Sequence, residues 1–581
     1  MDRTLELLRS RFGHTELRGL QAPAIEAVLA GRDTVLTIPT GGGKSLCYQL
    51  PALVLEGTTL VVSPLIALMQ DQVDALRAKG VAATFVNSSL DAPTRAQRLA
   101  EAREGAYDLL YVTPERFRSR AFLAALPELN ITRLAVDEAH CISEWGHDFR
   151  PDYHRLGHYR ELLGDPPCIA VTATATPRVV EDVCAALRLD DPLVLRGGIE
   201  RPNLFMGLSV AESPEERIDL IASRLSEIGG AGIVYSTLIR DLERLHDELV
   251  RRGVPSLVYH GKLSQRERRQ MQARFMDSTD EVVLATAAFG MGVDKPDIRF
   301  VLHAQLPRTV EAWTQEIGRA GRDGEPSWCE AIAHPEDLAV QQEFVRWANP
   351  DREFVMQVQR TLSDWGERIA TKDEQDLRGE LLLKNRRDNR IGITLRWLEV
   401  LGATRGSFER GDLELLRELE DDELPASVGT EAKLQRDLSH LLEMWRLASP
   451  EDPTETDCRR VELARHFALA EPTSPCGACD RCTSAETWRA EHLARRAAAS
   501  ARPRASERPQ PVPAAPSEAA ASSRLAGTFA RGDWVRIGRH LGRVVRVEGT
   551  DARPILVVES VDDLQQRRID PRRRPVERLE R

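Results

Sequence analysis

The chain has 581 residues, 42% of them hydrophobic and 29% charged, a soluble globular balance that holds three or four domains at roughly 100–200 residues each. It contains no run of about 18 apolar residues, which excludes a membrane-spanning helix, and its charged start, MDRTLELLRSRF, lacks the apolar core of a secretory signal. The formal charge of −11 is uneven: residues 484–581 carry 20 Arg against 13 acidic residues, a net of +7 that leaves −18 for the rest, so a basic tail that suits a partner follows an acidic body.

In chain order, DTVLTI (33–38), TLVVSP (59–64), LLYVTP (109–114), RLAVDE (133–138) and CIAVTAT (168–174) are β-rich runs, each followed by a helical or polar stretch. That rhythm predicts parallel strands with crossover helices. It restarts at AGIVYS (231–236), VPSLVY (254–259), EVVLAT (281–286) and RFVLHA (299–304), which gives two α/β lobes, residues 1–205 and 206–345. Residues 346–435 become helical, and TRGSFERGDLELLREL after ITLRWLEVLGA suits a hairpin. Three helices and a hairpin make a winged-helix-like module, with KNRRDNR (384–390) suited to phosphates; a helical connector with a solvated charged face is the alternative.

Residues 436–484 hold Cys458, Cys476, Cys479 and Cys482, spaced C-x17-C-x2-C-x2-C. Two CxxC steps plus one remote thiol suit a tetrahedral four-cysteine zinc site, with an iron–sulfur cluster or four free thiols as rivals. CRRVELARHFAL (458–469) is the helix expected to carry the first ligand. Nine cysteines in this distribution do not form a secreted disulfide framework, so a reducing cytosol is the expected setting. Residues 485–524, rich in Ala, Arg, Pro and Ser, are expected to be a disordered linker. Beyond it, 525–581 resembles short strands with glycine turns, a small basic β-domain of SH3-like kind, for nucleic acid or for protein docking.

Three motifs carry chemistry. PTGGGKS (39–45) follows the first strand and precedes a helix-capable run. Thr40, Gly41, Gly42 and Gly43 are expected to wrap a β-phosphate, Lys44 to reach the β- and γ-phosphates of ATP, and Ser45 to ligate Mg²⁺. The generic pattern has Gly where this chain has Ile38. DEAH (137–140) ends a strand at the carboxyl edge, where Asp137 is placed to hold Mg²⁺ and Glu138 to orient and deprotonate the attacking water. In QEIGRAGRDG (315–324), Arg319 and Arg322 share one face if the stretch is helical, and would reach the γ-phosphate from the second lobe.

With FGHTELRGLQ (12–21), SPLIALMQDQ (63–72), AVDEAHCISEWGHDFRPDY (135–153), TATATP (172–177), YHGKLSQRERR (259–269) and ATAAFGMGVDKPDIRFV (285–301), the chain resembles RecQ-family DNA helicases of superfamily 2. The likeness is strong over residues 1–345 and clear in the cysteine segment, weak over 346–435 and absent beyond 485. It implies two tandem RecA-like lobes, and an ATP-dependent 3′→5′ DNA helicase in repair or recombination. It also implies Arg18 and Gln21 as the adenine-reading pair with Phe12 stacking nearby, although the family's R-P-G-Q is here Arg18-Gly19-Leu20-Gln21. Trp145 and Phe149 correspond to aromatics that stack on single-stranded bases, with His147 and Arg150 supplying polar contacts; Glu144 stands where the family commonly has Gln. The implied partners are single-stranded and tailed or branched duplex DNA, the implied location the chromosome in the cytoplasm. A translocase that hydrolyses ATP without parting strands, an RNA helicase and a non-enzymatic DNA-binding scaffold are the rival readings.

Overall fold

The computed structural model describes residues 2–143, 150–198, 201–290, 293–382, 388–408, 411–425, 428–449, 457–472 and 475–500, and five strand segments between 534 and 578. The first lobe is a seven-stranded sheet of β1 (Thr34–Thr37), β2 (Thr58–Val62), β3 (Ala83–Val86), β4 (Leu109–Val112), β5 (Ile131–Asp137), β6 (Cys168–Thr172) and β7 (Leu193–Arg196), in the order β3-β4-β2-β5-β6-β1-β7. Every pairing is parallel, so each strand returns through a crossover segment and the central strands are covered on both faces. That is why β1, β2, β3, β4 and β6 are buried along their whole length instead of on alternate residues.

The second lobe repeats the design with β8 (Leu204–Val210), β9 (Gly232–Tyr235), β10 (Leu257–Tyr259), β11 (Val282–Ala285), β12 (Phe300–His303) and β13 (Ser327–Ala333), ordered β10-β11-β9-β12-β13-β8 and again all parallel. Because β8 begins at Leu204, the lobe boundary falls at 197–203, slightly before the expected 206. The strands that periodicity does not reveal are β3, β7, β8 and β13. β7 is a partly exposed edge, and SWCEAIA in β13 has no alternation because all seven residues are buried.

Residues 352–415 form three helices, Arg352–Trp365, Glu374–Leu381 and Arg390–Val400, and a hairpin of β14 (Thr404–Arg405) and β15 (Glu414–Leu415). Phe354, Val358, Leu362, Ile391, Leu398 and Leu413 give the module its own core. The helices and hairpin are those expected of a winged-helix-like unit; of the basic run 384–390, only 388–390 lie within the described residues.

The helix Glu431–Ala448 packs on the lobe-2 helix Glu336–Ala348 and shares the core of that lobe through Leu441 and Met444. The cysteine segment joins the same core at Val461, Leu463 and Phe467.

One expectation is overturned. Residues 485–500, assigned above to a disordered linker, form a helix, Ala485–Ser500, whose Trp488 is buried against Phe205 and Trp328 at 5.3 and 5.8 Å between ring centroids. The stretch is proline-free and rich in Ala, Glu and Arg, strong helix formers, and Ser484 accepts from the Thr487 amide at 3.0 Å to start it. Residues 501–524 lie outside the described residues. Farther on, β16 (Trp534–Ile537), β17 (His540–Thr550), β18 (Arg553–Ser560), β19 (Gln566–Ile569) and β20 (Glu577–Arg578) pair antiparallel in the order β19-β18-β17-β16-β20. This is a small β-sheet domain; among the described residues no pairing joins β19 to β20, so SH3-like closure is not established. No helix among the described residues is long and apolar enough to cross a membrane.

Candidate active site and cysteine cluster

The glycine-rich loop leaves β1 and enters the helix Leu46–Val54, with Ser45 at the helix N-cap. Gly41 and Gly43 have φ of 83° and 76°, a left-handed backbone that side chains disfavour. A Cβ on Gly42 would stand 2.2 Å from Ile38 Cγ2, so the missing side chain of Gly42 is what admits Ile38 in place of the generic glycine. Gln21 braces the loop from outside: its Nε2 donates to the Gly42 carbonyl at 2.9 Å while its Oε1 accepts from the Arg18 amide at 2.9 Å. Nε2 also donates to the Gly43 carbonyl at 3.3 Å, so both of its hydrogens are engaged and only Oε1 keeps a further acceptor position. The Arg18 side chain is exposed, and Phe12 is packed in the lobe core with Lys79 Nζ 5.1 Å from its ring centroid.

Asp137 and Glu138 sit at the carboxyl end of β5, facing this loop. Lys44 Nζ ion-pairs with Glu138 Oε1 and lies 3.7 Å from Asp137 Oδ1. Burial opposes the charge on Lys44, but Glu138 and then Asp137 outweigh it and hold the ammonium above its ordinary pKa. Burial raises the pKa of Asp137, with Lys44 pulling the other way. Glu138 adopts φ 49°, a strained backbone for a non-glycine residue, and its amide donates to Asp137 Oδ1 at 2.9 Å. His140 Nδ1 lies 2.9 Å from Thr172 Oγ1, which ties DEAH to TATATP on β6. Tyr48 donates to Gln72 at 3.1 Å, and Gln72 Nε2 donates to Ser45 Oγ at 3.4 Å, linking the loop to SPLIALMQDQ.

The second lobe closes over the loop across a cleft of about 1720 Å³ lined by Lys44, Asp137, Glu138, Arg319 and Arg322. The expected helical placement of the two arginines is corrected: the helix Val310–Ile317 ends first, at Gly318, and Gly321 has φ 54°, so both lie on turns. They nevertheless converge. Arg319 is buried and donates to the Gly290 carbonyl. Arg322 pairs with Asp294, and its Cγ lies 3.3 Å from where a Gly41 Cβ would stand.

Arg201, between the lobes, is a residue that sequence reasoning misses. Its Nη1 donates to the carbonyls of Thr40 and Gly318, both at 3.1 Å, and its Nη2 to those of Ala320 and Gly321 at 2.6 and 2.8 Å. As one arginine among many in an arginine-rich chain, it carries no pattern of its own.

Of the expected DNA contacts, Trp145, His147 and Phe149 lie outside the described residues. Arg150 is half-buried; its amide donates to the Cys141 carbonyl at 2.9 Å and its Nη1 to the Pro64 carbonyl at 3.2 Å.

Cys458, Cys476, Cys479 and Cys482 come together with all four Sγ atoms within 4.8 Å of one another. A tetrahedral Zn–S bond of about 2.3 Å requires S···S separations of about 3.8 Å, so the four thiols fit a zinc ion. The Ala478 amide donates to Cys476 Sγ, and the Cys476 amide to Cys482 Sγ, both at 3.4 Å. The knuckle docks on the edge strand β8: the Met206 amide donates to Ala478 O at 3.1 Å and the Asp480 amide to Met206 O at 3.0 Å. Fully buried Arg459 grips both carboxylate oxygens of Asp480 at 2.9 Å. A sheet edge that would otherwise template foreign strands is thus covered.

Two parallel-sheet lobes, a phosphate loop with a facing acidic pair, and arginines on the opposing lobe define a superfamily 2 helicase core. The chain matches the DEAD/DEAH box helicase family over residues 18–183 and the helicase conserved C-terminal domain over 215–324. It is 41% identical over 384 residues to the probable ATP-dependent DNA helicase RecS of Bacillus subtilis, covering 66% of this chain and 76% of that one. It is 44% identical over 344 residues to the ATP-dependent DNA helicase RecQ of the same organism, covering 59% of this chain and 58% of that one. It is 39% identical over 364 residues to the ATP-dependent helicase SGS1 of Saccharomyces cerevisiae, covering 61% of this chain and 25% of that one. The chain belongs to the RecQ family of helicases, and it spans a little over half the length of the B. subtilis RecQ.

Proposed function

We propose that the protein is an ATP-dependent DNA helicase that moves 3′→5′ on single-stranded DNA and parts tailed or branched duplexes. The observation that carries this reading is Lys44 held between Glu138 and Asp137 in a cleft that also receives Arg322. Glu138 and Asp137 both face the Lys44 ammonium. A nucleotide's phosphates take over Lys44 and release Glu138 to orient and deprotonate a water molecule. The loop of Thr40, Gly41, Gly42 and Gly43 cradles the phosphates with backbone amides, and Arg319 and Arg322 stabilise charge that develops on the transferred phosphoryl group. Ser45 and Asp137 would hold Mg²⁺, which when bound neutralises phosphate charge. Arg18 and Gln21 offer donors and acceptors to an adenine edge, with Phe12 beneath that corner.

Lobe closure on ATP and reopening after hydrolysis become stepping when a strand is held by its phosphates and by stacking on Trp145 and Phe149, with His147 and Arg150 supplying polar contacts. Cys458, Cys476, Cys479 and Cys482 bind structural zinc, which supplies folding energy to the knuckle. The role belongs to DNA repair or recombination in the cytoplasm, at the chromosome, with the basic β-domain reaching nucleic acid or a protein partner. Steady-state ATP hydrolysis measured with single-stranded DNA, with RNA of the same sequence and with neither tests the reading. Stimulation by DNA well above that by RNA is expected; equal or greater stimulation by RNA contradicts it.

A further inference from the structure

The module of residues 352–415 leaves and rejoins the chain between two helices, Glu336–Ala348 and Glu431–Ala448, that pack on each other beside lobe 2. Yet its third helix reaches back to lobe 1. Arg118, at the end of the 3-10 turn that follows β4, holds Asp152 through Nε and Nη2, both at 2.5 Å, and with Nη1 pairs with Glu399 of the module. Arg155 Nη1 donates to the Val400 carbonyl at 3.3 Å. One guanidinium therefore joins a lobe-1 carboxylate to a module carboxylate, in a site where all three side chains are at most one-quarter exposed.

The segment held in this way is the one that leads out of the aromatic-rich stretch and back to the ATP site. Between Asp152 and Arg155 lies Tyr153, fully buried, whose hydroxyl donates to the Asp137 carbonyl at 3.1 Å, one residue before Glu138. Residues 150–155 are clamped on one side by the strand that presents Asp137 and Glu138 and on the other by the module. Asp152, held by Arg118, and Tyr153, bonded to the Asp137 carbonyl, thus place the module contact and the Asp137 turn on the two sides of one short packed segment.

We propose that the 352–415 module is a coupling element. Through Glu399, Arg118 and Asp152 it fixes segment 150–155, so that DNA on the preceding stretch is transmitted to Glu138. Glu399 is a positioning residue in this scheme and touches neither nucleotide nor reacting atoms. The inference rests on the DNA-stimulated ATPase proposed above. Removing Glu399 leaves the Arg118–Asp152 pair whole, so the module is uncoupled without dismantling lobe 1.

The test compares ATP hydrolysis by the full chain and by its Glu399→Gln, Glu399→Asp and Glu399→Ala/Arg155→Gln variants across a titration of oligo-dT, with thermal midpoints as a folding control. Turnover without DNA is expected to stay within about twofold of the unaltered chain. The DNA concentration for half-maximal stimulation is expected to rise, or the maximal stimulation to fall, by about fivefold or more in Glu399→Gln and in the double variant, with partial recovery in Glu399→Asp, on the scale of one lost charge-assisted hydrogen bond. Unchanged stimulation and half-point in the double variant would overturn the coupling while leaving the helicase reading intact. An unaltered chain that DNA does not stimulate would overturn both.

Discussion

Arg201 donates to the Thr40 carbonyl of the phosphate loop at 3.1 Å while the same guanidinium holds the carbonyls of Gly318, Ala320 and Gly321. It is a direct polar route between the glycine-rich loop of lobe 1 and the turns that carry Arg319 and Arg322. Arg460, on the helix that starts after Cys458, donates to the Arg201 and Leu204 carbonyls at 2.9 and 2.8 Å, which fixes the backbone from which Arg201 reaches out.

Replacing Arg201 with Gln strands several buried carbonyls at about 1–3 kcal/mol each and leaves the two arginines less well aimed. ATP turnover is expected to fall about 10- to 100-fold, with the binding of a non-hydrolysable nucleotide changed far less. Steady-state hydrolysis beside equilibrium nucleotide binding measures both; turnover within twofold of the unaltered chain contradicts the latch.

Lys44→Ala removes the cation that faces both Asp137 and Glu138. ATP turnover is expected to be lost by about 10³-fold or more, with single-stranded DNA affinity preserved within a few-fold, because electrostatic stabilisation of the phosphoryl group goes while the DNA path stays. Hydrolysis retained at a tenth of the normal rate would sink the assignment of this loop.

Cys476→Ser removes one of four thiols that lie within 4.8 Å of one another. Elemental analysis is expected to give one zinc per unaltered chain and much less than one for the variant. Because structural zinc contributes about 10–16 kcal/mol of apparent folding energy in small sites, amide exchange over residues 458–482 should lose its protection. Full exchange protection in a metal-free variant contradicts a structural metal site.

His466 Nε2 lies 2.7 Å from Glu311 Oε1, and its Nδ1 lies 3.8 Å from Glu443. Burial favours the neutral ring, but Glu311 and then Glu443 prevail, so the folded pKa stands above the ordinary 6.5. A raised folded pKa contributes stability that is complete below the unfolded pKa and is lost as pH rises through the folded one. The thermal midpoint gap between the unaltered chain and His466→Gln is therefore expected to be widest near about pH 6 and to narrow toward about pH 9. A gap that widens with pH contradicts the Glu311 pairing.

Much of the site is legible in the sequence because its parts are contiguous. PTGGGKS and DEAH each sit at the end of a readable strand, and parallel topology brings such ends to one edge. The four cysteines declare themselves by spacing. Arg201 is not legible, because its partners are backbone carbonyls that any sequence supplies. Glu399 stays hidden because it meets Arg118 far away in the chain, and the Tyr153 bond to the Asp137 carbonyl leaves no pattern although both residues lie in AVDEAHCISEWGHDFRPDY. The Ala485–Ser500 helix is lost when its composition is averaged with the Pro-rich stretch after it, and the burial of Trp488 is a tertiary fact. Gly318 and Gly321 remove the helical face expected for Arg319 and Arg322, yet the convergence of the two arginines on the cleft follows from the pairing of the two lobes.

The measurement that bears most directly on the proposed activity is strand displacement with ATP and Mg²⁺ on matched duplexes carrying either a 3′ or a 5′ single-stranded tail, run beside Glu138→Gln. Separation of the 3′-tailed duplex alone, abolished in Glu138→Gln, is the predicted result. DNA-stimulated hydrolysis without separation of either duplex, or separation that survives Glu138→Gln, would contradict it.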